Sequence, residues 1–138
     1  MQFYKKGELN PAYGAEIDWR ESINANGANQ MQFLKKLILS KPYFERLPAN
    51  DLVANQGEKY DYIAAAKGKT YAFFYTYTGR RIIVKMGFLK DSKITFYWLN
   101  PTDGTYSAKN VIPNQGVQTF SPPSDKKGGN DWVLILEK

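Results

Sequence analysis

The sequence contains neither cysteine nor histidine among its 138 residues. Without cysteine there is no disulfide bond, no thiolate nucleophile and no thiolate metal ligand. Histidine is the commonest general base and the commonest metal ligand, so its absence excludes serine-type triads, two-histidine zinc sites and Cys–His nucleophiles. Any catalysis by this chain would therefore rest on carboxylates, lysine or tyrosine.

Long apolar runs are also missing. No stretch approaches the roughly 18 consecutive apolar residues that a membrane helix needs. The first seven residues lack the apolar core of a secretory signal. We therefore expect no membrane partner and no signal peptide in this sequence as written.

The basic residues carry little of the pattern of a nucleic-acid-binding protein, although the net charge is +6. They occur as scattered doublets, and only four of the nineteen are arginine, the residue preferred for phosphate and base-edge contacts. The sequence has no helix-turn-helix, zinc-finger or RNP signature. We expect a solvated basic surface and no nucleic-acid partner.

The elements change type near Pro48. Before it, Met31, Leu34, Leu37 and Ile38 share one helical stripe, which predicts a helix from about residue 28 to 40. After it, short strand-like runs alternate with turn residues, and the last run is the apolar segment 131–137. About eight such strands at near-regular spacing predict a mainly β protein, an antiparallel β-sandwich preceded by a helical N-terminal segment. So apolar a final strand must be paired and covered.

Several motifs occur in an order that resembles one family. They are Trp19-Arg20-Glu21-Ser22-Ile23, Asn26-Gly27-Ala28-Asn29-Gln30-Met31, Ser40-Lys41-Pro42, Tyr71-Ala72-Phe73-Phe74-Tyr75, Trp98-Leu99-Asn100-Pro101-Thr102-Asp103-Gly104, Phe120-Ser121-Pro122-Pro123 and Asp131-Trp132-Val133-Leu134. The ordered set resembles the C-terminal region of apiosidase-like glycoside hydrolases. Those enzymes have a (β/α)8 catalytic barrel followed by a small β-sandwich, the "putative collagen-binding domain of a collagenase".

The resemblance implies a division of the chain and a role. Residues 1–47 would be the helical lead-in from a catalytic barrel that this sequence does not contain, and residues 48–138 the C-terminal β-sandwich. The family's catalytic carboxylates belong to the barrel, so we expect a non-catalytic, mainly structural accessory domain that is not an enzyme on its own. The implied partners are a glycoside hydrolase barrel in the same or a parent chain and a polysaccharide. The implied location is periplasmic or extracellular.

Two sets of residues are candidates for contact with partners. The stripe of Met31, Leu34 and Ile38 would face the barrel, or would be covered in a homodimer of the isolated chain. The alternative role is a module that binds glycan or a collagen-like protein through tyrosine rings, with the candidates Tyr75, Tyr77 and Tyr97. Exposed rings in a row would favour binding, and rings inside the sandwich would favour the structural role.

The remaining candidates are expected to be structural. Trp98 and Trp132 lie in apolar strands, which predicts core positions. The densest acidic cluster, at Glu16, Asp18 and Glu21, is expected to be solvated or to cap a helix, because no cleft surrounds it in the predicted fold. Asp103, Asp125 and Asp131 lack the spacing of an EF-type loop. We therefore predict no catalytic residue, no metal and no cofactor.

Overall fold

The computed structural model describes residues 18–138, which form a mainly β fold as the sequence predicts. Two helices come first, α1 (Trp19–Ser22) and α2 (Asn26–Leu39). The strands are β1 (Leu47–Pro48), β2 (Ile63–Lys67), β3 (Tyr71–Thr76), β4 (Ile82–Lys85), β5 (Lys93–Leu99), β6 (Asn110–Pro113), β7 (Val117–Phe120) and β8 (Trp132–Glu137). Neither helix within residues 18–138 is long and apolar enough to cross a bilayer.

The strands form two sheets in which every pairing is antiparallel. One sheet has six strands in the order β1-β2-β3-β8-β5-β6, and the other pairs β4 with β7. Strand β8 lies between β3 and β5, where Leu134 is opposite both Phe74 and Trp98. A strand with neighbours on both sides and side chains buried on both faces has to be apolar throughout. The predicted pairing of the last strand is confirmed.

The core of the sandwich lies between the two sheets. Strands β3, β5 and β8 contribute Phe74, Trp98 and Leu134 from the large sheet, and Ile82 and Phe120 face them from the small one. Trp98 is buried, as predicted. Trp132 is only half-buried: its ring packs against this core, while its Nε1–H donates to Ser124 Oγ at 3.0 Å.

The outer face of the large sheet is covered by helix α2. Tyr71, Phe73 and Tyr97 are buried there together with Leu37 of the helix. The alternate aromatic residues of β3, which include Tyr71 and Phe73, thus form a row on the helix-covered face, neither exposed nor inside the sandwich. A helix can cover this row because the buried hydroxyl group has partners: Tyr71 donates to Pro42 O at 2.7 Å and accepts from Arg46 Nε at 3.0 Å.

Three strand or turn segments differ in detail from what the sequence pattern predicts. The sequence allows a short edge strand at residues 52–54; Asn50–Leu52 is a 3-10 turn, and Val53 after it forms a single antiparallel bridge with Val84 of β4. The sequence predicts a strand from Tyr60, but β2 begins only at Ile63. There the side-chain amide of Gln56 accepts from the N–H of Ile63 and donates to its C=O. The run Lys67-Gly68-Lys69 between two strands predicts a hairpin with a positive φ at Gly68, but this φ is not positive; the missing side chain of Gly68 instead leaves room for the ring of Tyr71.

Candidate functional site

A hydrogen bond from a side chain to a backbone carbonyl lies at each end of helix α2. The sequence predicts Asn26 or Asn29 as its N-cap, but the cap is Ala25, whose methyl group cannot form a capping hydrogen bond. Asn29 Nδ2 instead donates to Asn24 O at 3.0 Å. At the other end the Ser40 hydroxyl donates to Leu37 O at 2.7 Å. Of these two bonds, only the one from Ser40 satisfies a free backbone group of the helix, a carbonyl of its last turn. The helix is therefore positioned mainly by what it packs against.

One of those contacts is with the turn between β5 and the following segment. Gly104 has φ +76°, and its amide donates to Asn100 O at 2.8 Å, which closes the turn. The ring of half-buried Phe33 lies directly against Gly104, in the space that a Cβ atom would fill. The left-handed conformation that the sequence predicts for Gly104 is confirmed. The same glycine also brings the helix onto the sandwich.

The other side of the helix forms an apolar groove with the sheet. The groove has a volume of about 390 Å³, and its helix wall includes Met31, Leu34 and Ile38. Their exposed fractions are 60%, 38% and 37%, whereas Leu37, on the same stripe, is 3% exposed. Leu37 thus attaches the helix to the sheet, and the other three are left facing solvent. This is the set that the sequence assigns to a barrel interface.

The sheet side of the groove supplies aromatic and polar groups. Phe73 and Tyr75 line it together with Asp131. The Tyr75 hydroxyl donates to Asp131 Oδ2 at 3.4 Å. Burial, followed by the neighbouring Asp131 carboxylate, raises the pKa of Tyr75 to about 12. The groove is therefore an apolar trough with one uncharged hydroxyl and one carboxylate at its rim.

Tyr97 lies in a different, polar environment built around Glu137. The Tyr97 hydroxyl donates to Glu137 Oε2 at 3.1 Å, Lys109 Nζ donates to Oε1 at 2.8 Å, and Lys41 Nζ also contacts Oε2. Burial alone would raise the pKa of Glu137, but the hydrogen bonds from Lys109 and Lys41 outweigh it, so this pKa is lowered from its ordinary value. Burial and the adjacent carboxylate raise the pKa of Tyr97. Sequence reasoning missed Glu137, although an acid ending an apolar strand was a visible signal.

Tyr77 is the most exposed of the three candidate tyrosines. It is 39% exposed, and its ring lies 5.5 Å from that of Tyr60, centroid to centroid. The structure therefore places Tyr75 in the groove, Tyr97 at Glu137 and Tyr77 beside Tyr60. The three rings do not form one exposed row.

The acidic cluster lies only partly within the described residues. Glu16 is outside them, Glu21 is exposed, and Asp18 is buried with Oδ1 accepting from Arg20 N at 2.9 Å. Over the described range 18–138, no cluster of acidic side chains is arranged to hold a metal ion.

Comparison with known proteins identifies relatives among glycoside hydrolases. A solved structure titled "Glycoside hydrolase" is 37% identical over 99% of this chain, with a TM-score of 0.90. A glycoside hydrolase family 5 from Bacteroides vulgatus is 32% identical over 94% of this chain, with a TM-score of 0.82. This chain spans only 30% of the length of either structure. No protein of curated function matches it.

The family comparison covers the sandwich. The model described as "Putative collagen-binding domain of a collagenase" matches residues 47–137, from β1 to the end of β8. The resemblance read from the sequence motifs is thereby confirmed. Since the match includes every strand of both sheets, the chain belongs to the family described as the putative collagen-binding domain of a collagenase.

Proposed function

We propose that this chain is a non-catalytic accessory domain of a glycoside hydrolase and that the groove beside α2 is its docking surface for the catalytic barrel. This proposal is supported by coverage: the chain matches only 30% of each glycoside hydrolase, so most of each of those chains lies outside the match. In this proposal residues 1–47 are the lead-in from the barrel and residues 48–138 the sandwich. The protein would act in the periplasm or outside the cell.

The observation that carries the proposal is the exposed apolar wall of the groove. Met31, Leu34 and Ile38 are exposed on a helix whose other contacts, through Phe33 and Leu37, are with its own sandwich. Contiguous apolar surface of this kind is usually covered in the working protein. A barrel packed on the outer side of α2 would bury it, and the helix would then lie between the two bodies. In the isolated chain a second copy would cover it.

The lowered pKa values of three acidic residues support a non-catalytic role. A glycosidase needs one carboxyl group whose pKa is raised so that it can act as an acid, facing an ionised second one. The pKa values of Asp61, Asp103 and Glu137 are lowered, chiefly by hydrogen bonds from Lys126, from Thr105, and from Lys109 against the effect of burial. Each of these carboxylates therefore holds a neighbouring side chain in place and lacks the character of a general acid.

A chimera tests the docking role. Residues 18–138 would replace the matching segment of the Bacteroides vulgatus enzyme, and Leu34→Lys would be compared with Gln32→Lys on the same helix. Both variants add one charge, and surface changes of this kind typically alter stability by no more than about 0.5 kcal/mol in the isolated chain. We expect Leu34→Lys to lower the melting temperature of the chimera and to promote cleavage between its two parts, whereas Gln32→Lys does neither. Equal melting temperatures for both chimeras would contradict the docking role.

A second candidate function is a module that binds polysaccharide or a collagen-like protein. The family description names collagen binding, and Tyr77 is exposed at the end of the large sheet. Tyr75 and Tyr97 fit this role less well, because their hydroxyl groups are engaged with Asp131 and Glu137. Any such site would have to be built around Tyr77 and its neighbours.

A further inference from the structure

Two tyrosine rings are exposed side by side at one end of the large sheet. Tyr60 is 75% exposed and Tyr77 is 39% exposed; their planes are inclined by 37°. Single exposed apolar residues are common, whereas a larger exposed apolar patch rimmed by polar groups is typical of interaction sites. We call Tyr60 and Tyr77 the tyrosine platform. None of the residues that line the α2 groove belongs to it.

The residue that follows Tyr60 links the two parts of the platform through hydrogen bonds. Asp61 Oδ1 accepts from Thr78 Oγ1 at 3.0 Å, which ties the turn of Tyr60 to the residue after Tyr77. Asp61 Oδ2 accepts from Lys126 Nζ at 3.1 Å. Lys59, just before Tyr60, has φ +52°, the one positive φ outside glycine in the described chain. Such a conformation persists only where its surroundings fix it, and it is concentrated at functional sites.

A cationic cavity adjoins the platform at Asp61. Its volume is about 550 Å³, and it is lined by Arg80, Arg81 and Lys126 against one acid, Asp125. Arg80 reaches back to the platform, because its Nη1 donates to Asp61 O at 2.7 Å. The guanidinium of Arg81 forms no ion pair within residues 18–138, and the residue is exposed. The cavity therefore carries uncompensated positive charge beside two aromatic faces.

We propose that the tyrosine platform and this cavity bind a polysaccharide that contains uronic acid. The C–H face of a pyranose ring packs on a tyrosine ring, whose π face is the negative part of its quadrupole. The inclination of the two rings suits successive sugars, which are rotated relative to each other along a glycan chain. The carboxylate of one sugar would pair with Arg81, whose planar guanidinium presents two parallel donors to such a group. The site is independent of the barrel-docking proposal.

An amide NMR titration of the whole chain tests this site with tetragalacturonate as the probe and cellotetraose as its neutral counterpart. We expect shifts at residues 58–61, 77–81 and 121–126 with tetragalacturonate and markedly weaker binding of cellotetraose. Tyr60→Ala should weaken binding roughly tenfold, a loss of about 1.4 kcal/mol. Tyr106→Ala, at another exposed tyrosine whose ring neighbour Tyr97 is buried, should leave binding unchanged. The ligand-free spectrum of each variant reports that it is folded.

The charge requirement has its own pair of variants. Arg81→Gln should weaken binding of tetragalacturonate without changing that of cellotetraose, while Lys93→Gln, at an exposed site on β5, should change neither. Raising the salt concentration from about 50 to about 500 mM should weaken the tetragalacturonate complex, because surface charges are then screened. Equal affinity for the two tetrasaccharides, no loss in Tyr60→Ala, or no shifts up to roughly 10 mM probe would each overturn the proposal. Tighter binding of a polyglutamate peptide would overturn it in favour of an acidic protein.

Discussion

The contact between Phe33 and Gly104 makes the attachment of α2 to the sandwich measurable. Gly104→Ala adds a methyl group at φ +76°, where it overlaps the ring of Phe33. Gly116→Ala is the matched control, since Gly116 has φ +68° and nothing lies within 4 Å of its added Cβ. Both changes carry the left-handed backbone penalty of about 1–2 kcal/mol. Both also gain about 0.4–1 kcal/mol from a stiffer unfolded chain.

The two glycines should therefore differ by the overlap alone. Gly116→Ala should destabilise the protein by about 1 kcal/mol, the net of the two backbone effects. Overpacking costs about 1–3 kcal/mol, and half-buried Phe33 has room to shift, so Gly104→Ala should cost about 2–3 kcal/mol in total. That is a large part of the 5–15 kcal/mol typical of a folded domain.

Urea unfolding of the four members of a double-mutant cycle measures this contact. In the Phe33→Ala background, Gly104→Ala should cost only about 1 kcal/mol, as Gly116→Ala does, because the overlapping ring is gone. The coupling energy between the two positions should thus be about 1–2 kcal/mol. If Gly104→Ala and Gly116→Ala are equally costly, or the coupling energy is zero, helix α2 is not held by this turn.

Three further outcomes are expected. Trp98→Ala should lower the free energy of unfolding by about 3–5 kcal/mol, and Trp132→Ala by only about 2 kcal/mol because its ring is half-buried; equal losses would contradict this difference. The lowered pKa of Glu137 contributes stability that is complete above the ordinary pKa of 4.5 and is lost as the pH falls through the folded-state pKa. Glu137→Gln should therefore make the free energy of unfolding depend less on pH over that acidic range. The purified chain should release no product from aryl glycosides or pectin fragments, and turnover that disappears in Asp18→Asn would refute the non-catalytic role.

The alternation of residues on β3 could be predicted from the sequence, but the identity of each face could not. Phe73 and Phe74 point to opposite sides by the geometry of any strand. Both sides are apolar here, so the pattern does not tell which one meets the second sheet and which meets the helix. That choice depends on where α2 packs, and on long-range partners such as Pro42 O for the hydroxyl of Tyr71.

The candidate sites divide in the same way. The apolar stripe of α2 follows from helical spacing, so Met31, Leu34 and Ile38 could be assigned to a common surface in advance. The pairing of Tyr60 with Tyr77 could not, because it depends on a 3-10 turn that replaces the predicted start of β2. Gln56 closes this segment by bonding to the backbone of Ile63, seven residues later, and a contact between a side chain and the backbone leaves no periodic signal.

The position of β8 in the large sheet has a consequence for synthesis of the protein. It is the last strand in the sequence, yet it separates β3 from β5. While the ribosome is still adding residues 132–137, both of those strands present unpaired, strongly aromatic edges, which are templates for association with other chains. The sheet can close only after these residues leave the exit tunnel. Until then the nascent chain is exposed to aggregation, and to binding by chaperones, through these two edges.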